Sequence, residues 1–197
     1  MDKNFWDERF ESETYVYGKD ANVFLKKSLE GLNTGKMLFP GEGEGRNAVY
    51  AAKCGWEVIA FDSSVEGQKK ALNLATSNSV SIDYQLSNYL DFDTEERFDA
   101  IGLFFTHMPE EMRPIVHDKY VNLLKPGGRI ILQGFSKEQL GLTSGGPKDL
   151  TMLFSREELE HDFKRLNSME INEVDEILSE GPFHQGLAHL ITLTGIK

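Results

Sequence analysis

The sequence contains a single cysteine, Cys54, among its 197 residues. One cysteine excludes an internal disulfide and a zinc site built on several thiolates, and such sparing use is typical of the reducing cytoplasm. We therefore expect Cys54 to be a small, buried apolar side chain. No apolar run is long enough to span a membrane, and the polar start MDKNFWDERFESE is not typical of a signal peptide. These absences predict a cytoplasmic protein with no membrane partner.

Basic residues are also scarce, with 21 lysines and arginines against 32 acidic residues and a formal net charge of −11. An acidic surface repels the phosphate backbone of nucleic acids, and no dense basic cluster offsets that repulsion locally. The histidine, cysteine and acidic residues show no spacing typical of metal ligands. We therefore expect neither a nucleic-acid partner nor a bound metal, and the sequence leaves the oligomeric state open.

Predicted strands and helices alternate along most of the chain, which indicates an α/β fold. Strands are predicted at 36–40, 57–62, 82–87, 98–105 and 129–135, and helices at 46–54, 63–77, 110–124 and 155–163. Segments 169–177 and 187–193 are two further strands joined by a turn, which indicates an antiparallel C-terminal hairpin at the sheet edge. The predicted fold is a three-layer, doubly wound, mostly parallel sheet of seven strands.

Two serines mark predicted helix starts. Ser63 precedes Glu66 by three residues and Ser155 precedes Glu158 by the same distance. This is the spacing of a capping box, in which the serine side chain satisfies a free backbone N–H of the first helical turn. Ser63 and Ser155 are therefore the predicted helix caps.

A glycine-rich turn, GEGEG at 41–45, follows the first predicted strand and precedes a helix. Glycines allow a ligand to approach the backbone closely, and in open α/β sheets ligands bind at the carboxyl ends of the strands. Asp62 ends the second strand, where a carboxylate can accept hydrogen bonds from both hydroxyls of a ribose. The alternative is a tight turn beside an exposed acid.

The spacing of the glycines discriminates between cofactors. Dinucleotide-binding turns have the pattern G-x-G-x-x-G, whereas here the third glycine comes one residue earlier. Glu42 and Glu44 also disfavour a pyrophosphate, because like charges at short range repel each other. A ligand with a cationic sulfonium and no phosphate suits the turn better, so S-adenosylmethionine is favoured over a nicotinamide dinucleotide.

Three segments, LFPGEGEGRNA at 38–48, VIAFD at 58–62 and LKPGG at 124–128, resemble the successive motifs of class I S-adenosylmethionine-dependent methyltransferases. FWDER at 5–9, YVYG at 15–18 and the GRN at 45–47 resemble the tellurite-resistance and thiopurine methyltransferase branch, and GGPKD at 145–149 an uncharacterised bacterial subgroup of it.

The resemblance implies a single methyltransferase domain over 1–197, with a helical lid at 1–33 and a catalytic α/β core at 34–197. One position departs from the family, because Phe39 stands where an acidic residue is common. The amine of the methionine moiety must then meet another anion or a backbone carbonyl.

The resemblance also implies which residues bind the cofactor, because they occupy the matching positions of the family's motifs. Asp62 would hold the ribose, Asn88 the adenine amine, and Tyr89 would pack on the adenine unless it belongs to the core. The full set is Trp6, Arg9, Tyr17, Gly41, Glu42, Gly43, Gly45, Asn47, Asp62, Ser63, Asn88, Tyr89, Phe104 and Phe105.

Methyl transfer is an in-line displacement, so positioning suffices for a thiolate, whereas a neutral oxygen or nitrogen acceptor needs a base. His107 follows the fourth strand and is one candidate base; the alternative is that it hydrogen-bonds a neighbouring loop. His184, in the hairpin turn, is the second candidate, although a turn histidine is expected to be exposed. Segment 145–149 is either a flap whose Lys148 steers an anion or an ordinary loop.

The predicted activity is methylation of a small molecule, with thiols, oxyanions and heterocycles all open as acceptors. Two other functions are compatible with the sequence. One is a nicotinamide-dependent oxidoreductase on the same fold, and the other is a module that binds S-adenosylmethionine without catalysis.

Overall fold

The computed structural model describes residues 3–197, in which seven strands form one sheet in the order β3-β2-β1-β4-β5-β7-β6. Strands β1 to β5 pair in parallel, and β7 pairs antiparallel with both β5 and β6. This confirms the predicted doubly wound sheet with its C-terminal hairpin. The strands are β1 (Lys36–Pro40), β2 (Glu57–Asp62), β3 (Asp83–Leu86), β4 (Phe98–Phe104), β5 (Leu124–Phe135), β6 (Ser168–Ser179) and β7 (Gln185–Ile196).

Helices cover both faces of the sheet. Alternate residues of β1 show this directly, because Leu38 belongs to one buried cluster whereas Met37 and Phe39 belong to the cluster on the opposite face. The helices are α1 (Lys3–Phe10), α2 (Val23–Leu29), α3 (Arg46–Lys53), α4 (Val65–Ser77), α5 (Arg113–Leu123) and α6 (Arg156–Asp162). No helix among residues 3–197 is both long and apolar enough to cross a membrane.

The two predicted caps have different outcomes. Ser155 caps α6 with a complete capping box, in which Glu158 accepts a hydrogen bond from the Ser155 N–H. The assignment of Ser63 was wrong by one residue, because α4 is capped by Ser64, whose Oγ accepts from the Gly67 N–H at 3.0 Å. The reason is local: the carboxylate of Asp62 accepts the Ser64 N–H, which holds that residue extended at the helix start.

Cys54 also differs from expectation, because its side chain is exposed. It lies at the C-cap of α3, one residue beyond the last helical residue, Lys53. Gly55 follows with a φ of +93° and turns the chain toward β2, as expected for a glycine after a helix. The chain therefore leaves the core at this point, and the prediction of a buried thiol was wrong.

The N-terminal segment is tied down by two charged side chains. Lys70 of α4 donates to the carbonyl oxygens of Phe10, Ser12 and Thr14, and Glu44 accepts from the backbone N–H groups of residues 16 and 17. Residues 3–18 thus pack beside the glycine-rich turn. Helix α2 instead packs into a core cluster on one face of the sheet, and residues 1–2 of the expected lid lie outside the described residues.

Candidate cofactor and acceptor site

A cavity of about 1080 Å³ opens at the carboxyl ends of the parallel strands. Gly41, Asp62, Leu86, Phe104 and Phe135, which end or follow β1 to β5, all line it. Ligand pockets commonly have volumes of about 300–1,000 Å³, so this one has room for a cofactor and a small acceptor together. All of the residues that the family resemblance implicates in cofactor binding line the cavity, except Gly45.

Gly45 serves the packing of two helices instead. Its φ is +88°, and a Cβ at this position would lie 2.6 Å from the Cβ of Ala71 in α4. A side chain would therefore push α3 away from α4. Gly41 is different, because it lines the cavity with a φ of +62° and a Cβ there would meet the Tyr89 hydroxyl at 2.3 Å.

Asp62 connects the end of β2 to the glycine-rich turn. Its Oδ2 accepts from the Gly43 N–H at 3.1 Å and its Oδ1 accepts from the Ser64 N–H at 2.9 Å. Burial raises the pKa of Asp62, although the hydrogen bonds from these two N–H groups oppose the rise. A carboxylate has about four acceptor positions, so capacity remains for two ribose hydroxyls.

Asn88 and Tyr89, the residues expected to contact adenine, already have partners within the protein. Asn88 lines the cavity, but the Asn88 Oδ1 already accepts from the N–H groups of Leu90 and Asp91, and its amide nitrogen donates to the Asp91 carboxylate. Tyr89 lines the cavity and also packs edge-on against Phe61, so both of its expected roles fit its position.

The groups around the turn suit a nucleoside with a cationic tail. Glu42 and Asp62 contribute carboxylates to the cavity wall, and the turn at 41–45 contains no basic residue. A pyrophosphate placed here would face anions, whereas ribose hydroxyls and a positively charged methionine moiety would find acceptors. The chemistry of these groups therefore fits S-adenosylmethionine.

His107 is held at both ring nitrogens by the backbone. Its Nδ1 lies 2.8 Å from the Met152 carbonyl oxygen, and its Nε2 accepts from the Phe135 N–H at 3.0 Å. Burial lowers the pKa of His107 to about 4, against the opposing hydrogen bond to Met152. This geometry supports the second interpretation of His107, in which it joins neighbouring loops, because neither nitrogen is free to take a proton from an acceptor.

This role predicts a dependence of stability on pH. The pKa of His107 is lowered from 6.5 to about 4 in the folded protein. The contribution of His107 to the free energy of unfolding is therefore fully present above pH 6.5 and is lost as the pH falls toward 4. The loss should reach about 3 kcal/mol. Chemical denaturation at pH 7 and pH 4 should show that His107→Gln lowers the stability at pH 7 and flattens this dependence. The same slope in both proteins would contradict the role.

His184 is buried, so the expectation of an exposed turn histidine was wrong. The hairpin turn folds back onto the N-terminal segment, where the Phe183 N–H donates to the Val16 carbonyl at 3.2 Å. The imidazole then lies among three rings, with centroid distances of 4.6 Å to Tyr17, 4.5 Å to Phe105 and 5.4 Å to Phe135. His184 lines the same cavity as the glycine-rich turn.

Glu180, which the sequence did not indicate, contacts His184. Its Oε2 lies 3.1 Å from the His184 Nδ1 and 2.9 Å from an Arg46 guanidinium nitrogen. Burial alone would raise the pKa of Glu180, but the hydrogen bond from His184 and the charge of Arg46 lower it to about 2. Burial and the same arginine lower the pKa of His184. The pair lies in the turn between β6 and β7, where a spacing of four residues does not by itself predict a contact.

Phe105 has a strained backbone beside His184. Its φ is +55°, which is unusual for a large side chain, and its N–H donates to the Gln133 carbonyl. Such strain persists where surrounding contacts enforce it and is concentrated at functional sites. The Phe105 ring packs against both His184 and Phe135, with centroid distances of 4.5 and 4.9 Å.

Segment 145–149, for which a flap and an ordinary loop are both open, lies against the same histidine. A Cβ on Gly145 would lie 2.8 Å from the His184 Cδ2 and 2.9 Å from the Phe135 ring. Gln139 holds this glycine by donating to its carbonyl oxygen at 3.0 Å. Lys148 lines the cavity and donates to the Leu142 carbonyl.

Comparison with known proteins agrees with this arrangement. Residues 38–128 match a family described as a methyltransferase domain. The chain is 28% identical over 149 residues to an Arabidopsis thaliana protein named probable thiol methyltransferase 2, covering 72% of this chain and 65% of that protein. The match therefore spans just under two thirds of that relative.

Two solved structures share the fold. TehB from Haemophilus influenzae superposes with a TM-score of 0.75 at 16% identity, covering 99% of this chain and 66% of that chain. The N-methyltransferase NodS from Bradyrhizobium japonicum WM9, in complex with S-adenosyl-L-homocysteine, superposes with a TM-score of 0.72 at 14% identity, covering 99% and 97%. Residues 38–128 thus resemble a methyltransferase domain, and the strand order and these two structures show that the chain has the fold of class I S-adenosylmethionine-dependent methyltransferases.

Proposed function

We propose that this protein methylates a small soft acceptor, a thiol first of all, inside the cavity. The observation that carries the proposal is that one cavity joins Asp62 and the glycine-rich turn to the aromatic surroundings of His184. S-adenosylmethionine supplies an electrophilic methyl carbon, and the protein has to position the acceptor and exclude water. Residues 3–18 and 145–149 border the cavity and would act as lid and flap.

The surroundings of His184 favour a polarisable acceptor over an oxyanion. The rings of Tyr17, Phe105 and Phe135 lie against His184, and the side chains of Phe183, Met108 and Met152 line the same cavity. Sulfur makes favourable contacts with aromatic rings. The cations that line the cavity already have partners within the protein: Arg46 pairs with Glu180, and Arg9 lies over the Phe183 ring at 4.2 Å. Lys148 donates to the Leu142 carbonyl. The Arabidopsis relative, named a thiol methyltransferase, supports the same class.

His184 would remove the proton from a neutral acceptor. The anionic Glu180 favours the tautomer that carries the proton on Nδ1, which leaves the Nε2 lone pair as the base. Among residues 3–197 no hydrogen bond to Nε2 competes for that lone pair. Glu180 thus positions the histidine, and Arg46 keeps Glu180 ionised.

Turnover with labelled cofactor tests the proposal. The protein is incubated with S-adenosylmethionine labelled at the methyl carbon and with separate panels of small thiols, heterocycles and oxyanions. We expect at least one thiol or heterocycle to be methylated, with an equal amount of S-adenosylhomocysteine formed. Binding of the cofactor without methylation of any acceptor would instead indicate a module that binds S-adenosylmethionine without catalysis.

A further inference from the structure

The two glutamates of the glycine-rich turn have different surroundings. Glu44 is buried, and both of its carboxylate oxygens already have partners within the protein. They accept from the N–H groups of Val16 and Tyr17, and the carboxylate pairs with the Lys70 ammonium. Glu42 lines the cavity, and its Oε1 accepts from the N–H groups of Asn47 and Ala48 at 2.8 and 2.7 Å. Its Oε2 makes no hydrogen bond to any residue that the structure describes. One oxygen is therefore fixed at the start of α3 and the other remains available.

The position that carries an acid in related proteins gives no alternative. Phe39 occupies it and is fully buried, in the same cluster as Met37 on one face of the sheet. It packs so closely on Gly102 that a Cβ there would lie 2.7 Å from its ring. Among residues 3–197, three carboxylates line the cavity wall beside the turn, namely Glu42, Glu44 and Asp62. The Glu44 carboxylate already has its partners, and Asp62 lies at the end of β2.

We propose that Glu42 binds the α-ammonium group of the cofactor's methionine moiety through Oε2. This inference rests on the proposed cofactor site and assigns the part of it that the family pattern leaves without an anion. The two N–H groups on Oε1 fix the carboxylate before the ligand arrives, so little side-chain freedom is lost on binding.

The electrostatic surroundings of Glu42 are consistent with a cationic ligand. Burial raises the pKa of Glu42 to about 7, against the hydrogen bonds from Ala48 and Asn47 and the charge of Arg46, and Asp62 adds to the rise. Tyr84 also faces this carboxylate, with its hydroxyl donating to the Gly43 carbonyl. Near pH 7 the free protein then holds a proton on part of its Glu42 population. A bound ammonium should expel that proton, because an adjacent opposite charge favours the ionised carboxylate.

Calorimetry with two ligands tests the assignment. S-adenosylhomocysteine carries the ammonium, whereas 5′-methylthioadenosine has the same nucleoside without it. In buffers of different ionisation enthalpy at pH 7, we expect S-adenosylhomocysteine to release about half a proton and 5′-methylthioadenosine to release none. Glu42→Gln should abolish the release and weaken S-adenosylhomocysteine binding about 10- to 150-fold. The affinity of the Glu42→Gln variant for 5′-methylthioadenosine should stay unchanged, because the glutamine carbonyl can still accept from the N–H groups of Asn47 and Ala48 at the start of α3.

Glu173→Gln, the same change on an exposed residue of β6, is the matched control and should alter neither ligand's affinity. An equal loss for both ligands in Glu42→Gln, or no loss for either, would overturn the assignment and show that Glu42 only shapes the turn. Failure of the unmodified protein to bind S-adenosylhomocysteine at all would instead overturn the proposed function.

Discussion

Replacing His184 with alanine should slow methyl transfer roughly 100- to 10,000-fold, the range expected when a general base is lost. The buried imidazole lines the cavity, and its Nδ1 is held by Glu180 at 3.1 Å. Because the residue faces the acceptor side, the affinity for S-adenosylhomocysteine should hardly change. Single-turnover transfer from labelled cofactor, measured beside calorimetric binding, separates the two effects.

The pH profile gives this prediction a second readout. Burial and Arg46 lower the pKa of His184 below its ordinary value of 6.5, so the base stays unprotonated near neutrality. Activity with a neutral acceptor should therefore fall as the pH drops below 6.5. Glu180→Gln should reduce the rate as well, because an amide can present either its oxygen or its nitrogen to Nδ1 and no longer fixes the tautomer.

His189→Ala is the control for His184, since His189 lies on the same hairpin and pairs with Asp175 on the partly exposed side of β7. It should leave the transfer rate unchanged. If His184→Ala and the unmodified protein gave the same rate from pH 6 to pH 9, His184 would not be the base. The acceptor would then react as an anion that is already formed in solution.

Asp62→Ala should raise the dissociation constant of S-adenosylhomocysteine roughly 30- to 150-fold, equivalent to about 2–3 kcal/mol. The change removes a charged acceptor for two ribose hydroxyls and also releases the Gly43 N–H that Asp62 holds at 3.1 Å. The effect should therefore extend to 5′-methylthioadenosine, which shares the ribose. Calorimetry with both ligands measures it.

Asp62 has two contributions, the hydrogen bonds to the ribose hydroxyls and the hydrogen bond that holds the Gly43 N–H. Asp62→Asn keeps only one acceptor oxygen, so it can retain only some of these hydrogen bonds. We expect an affinity between those of the unmodified protein and Asp62→Ala. Asp83→Asn, an exposed acid at the start of β3, serves as the charge control. An unchanged affinity in Asp62→Ala would mean that Asp62 only braces the turn.

Local patterns predicted the sheet and the turn because both depend on neighbouring residues. Short runs of apolar residues predict the strands, and the glycines at 41–45 predict a turn because glycine allows backbone conformations that other residues rarely adopt. The boundary at Ser63 was wrong by one residue because the competing hydrogen bond, from the Ser64 N–H to Asp62, cannot be read from a capping pattern.

The surroundings of His184 could not be predicted in the same way because contacts between residues far apart in the sequence form them. Arg46 and Glu180 are 134 residues apart, and the hairpin turn covers a segment near the N-terminus through the contact of Phe183 with Val16. These contacts bury His184, whereas its sequence neighbourhood of glycine, proline and glutamine is typical of an exposed turn. His107 follows a buried strand as expected, yet two backbone partners from elsewhere occupy its ring.

The most direct test of the account is calorimetric titration of the whole chain with S-adenosylhomocysteine and, separately, with NAD. The glycine spacing and the carboxylates of Glu42 and Asp62 predict binding of S-adenosylhomocysteine and no measurable binding of NAD. Tight binding of NAD without binding of S-adenosylhomocysteine would contradict the methyltransferase assignment.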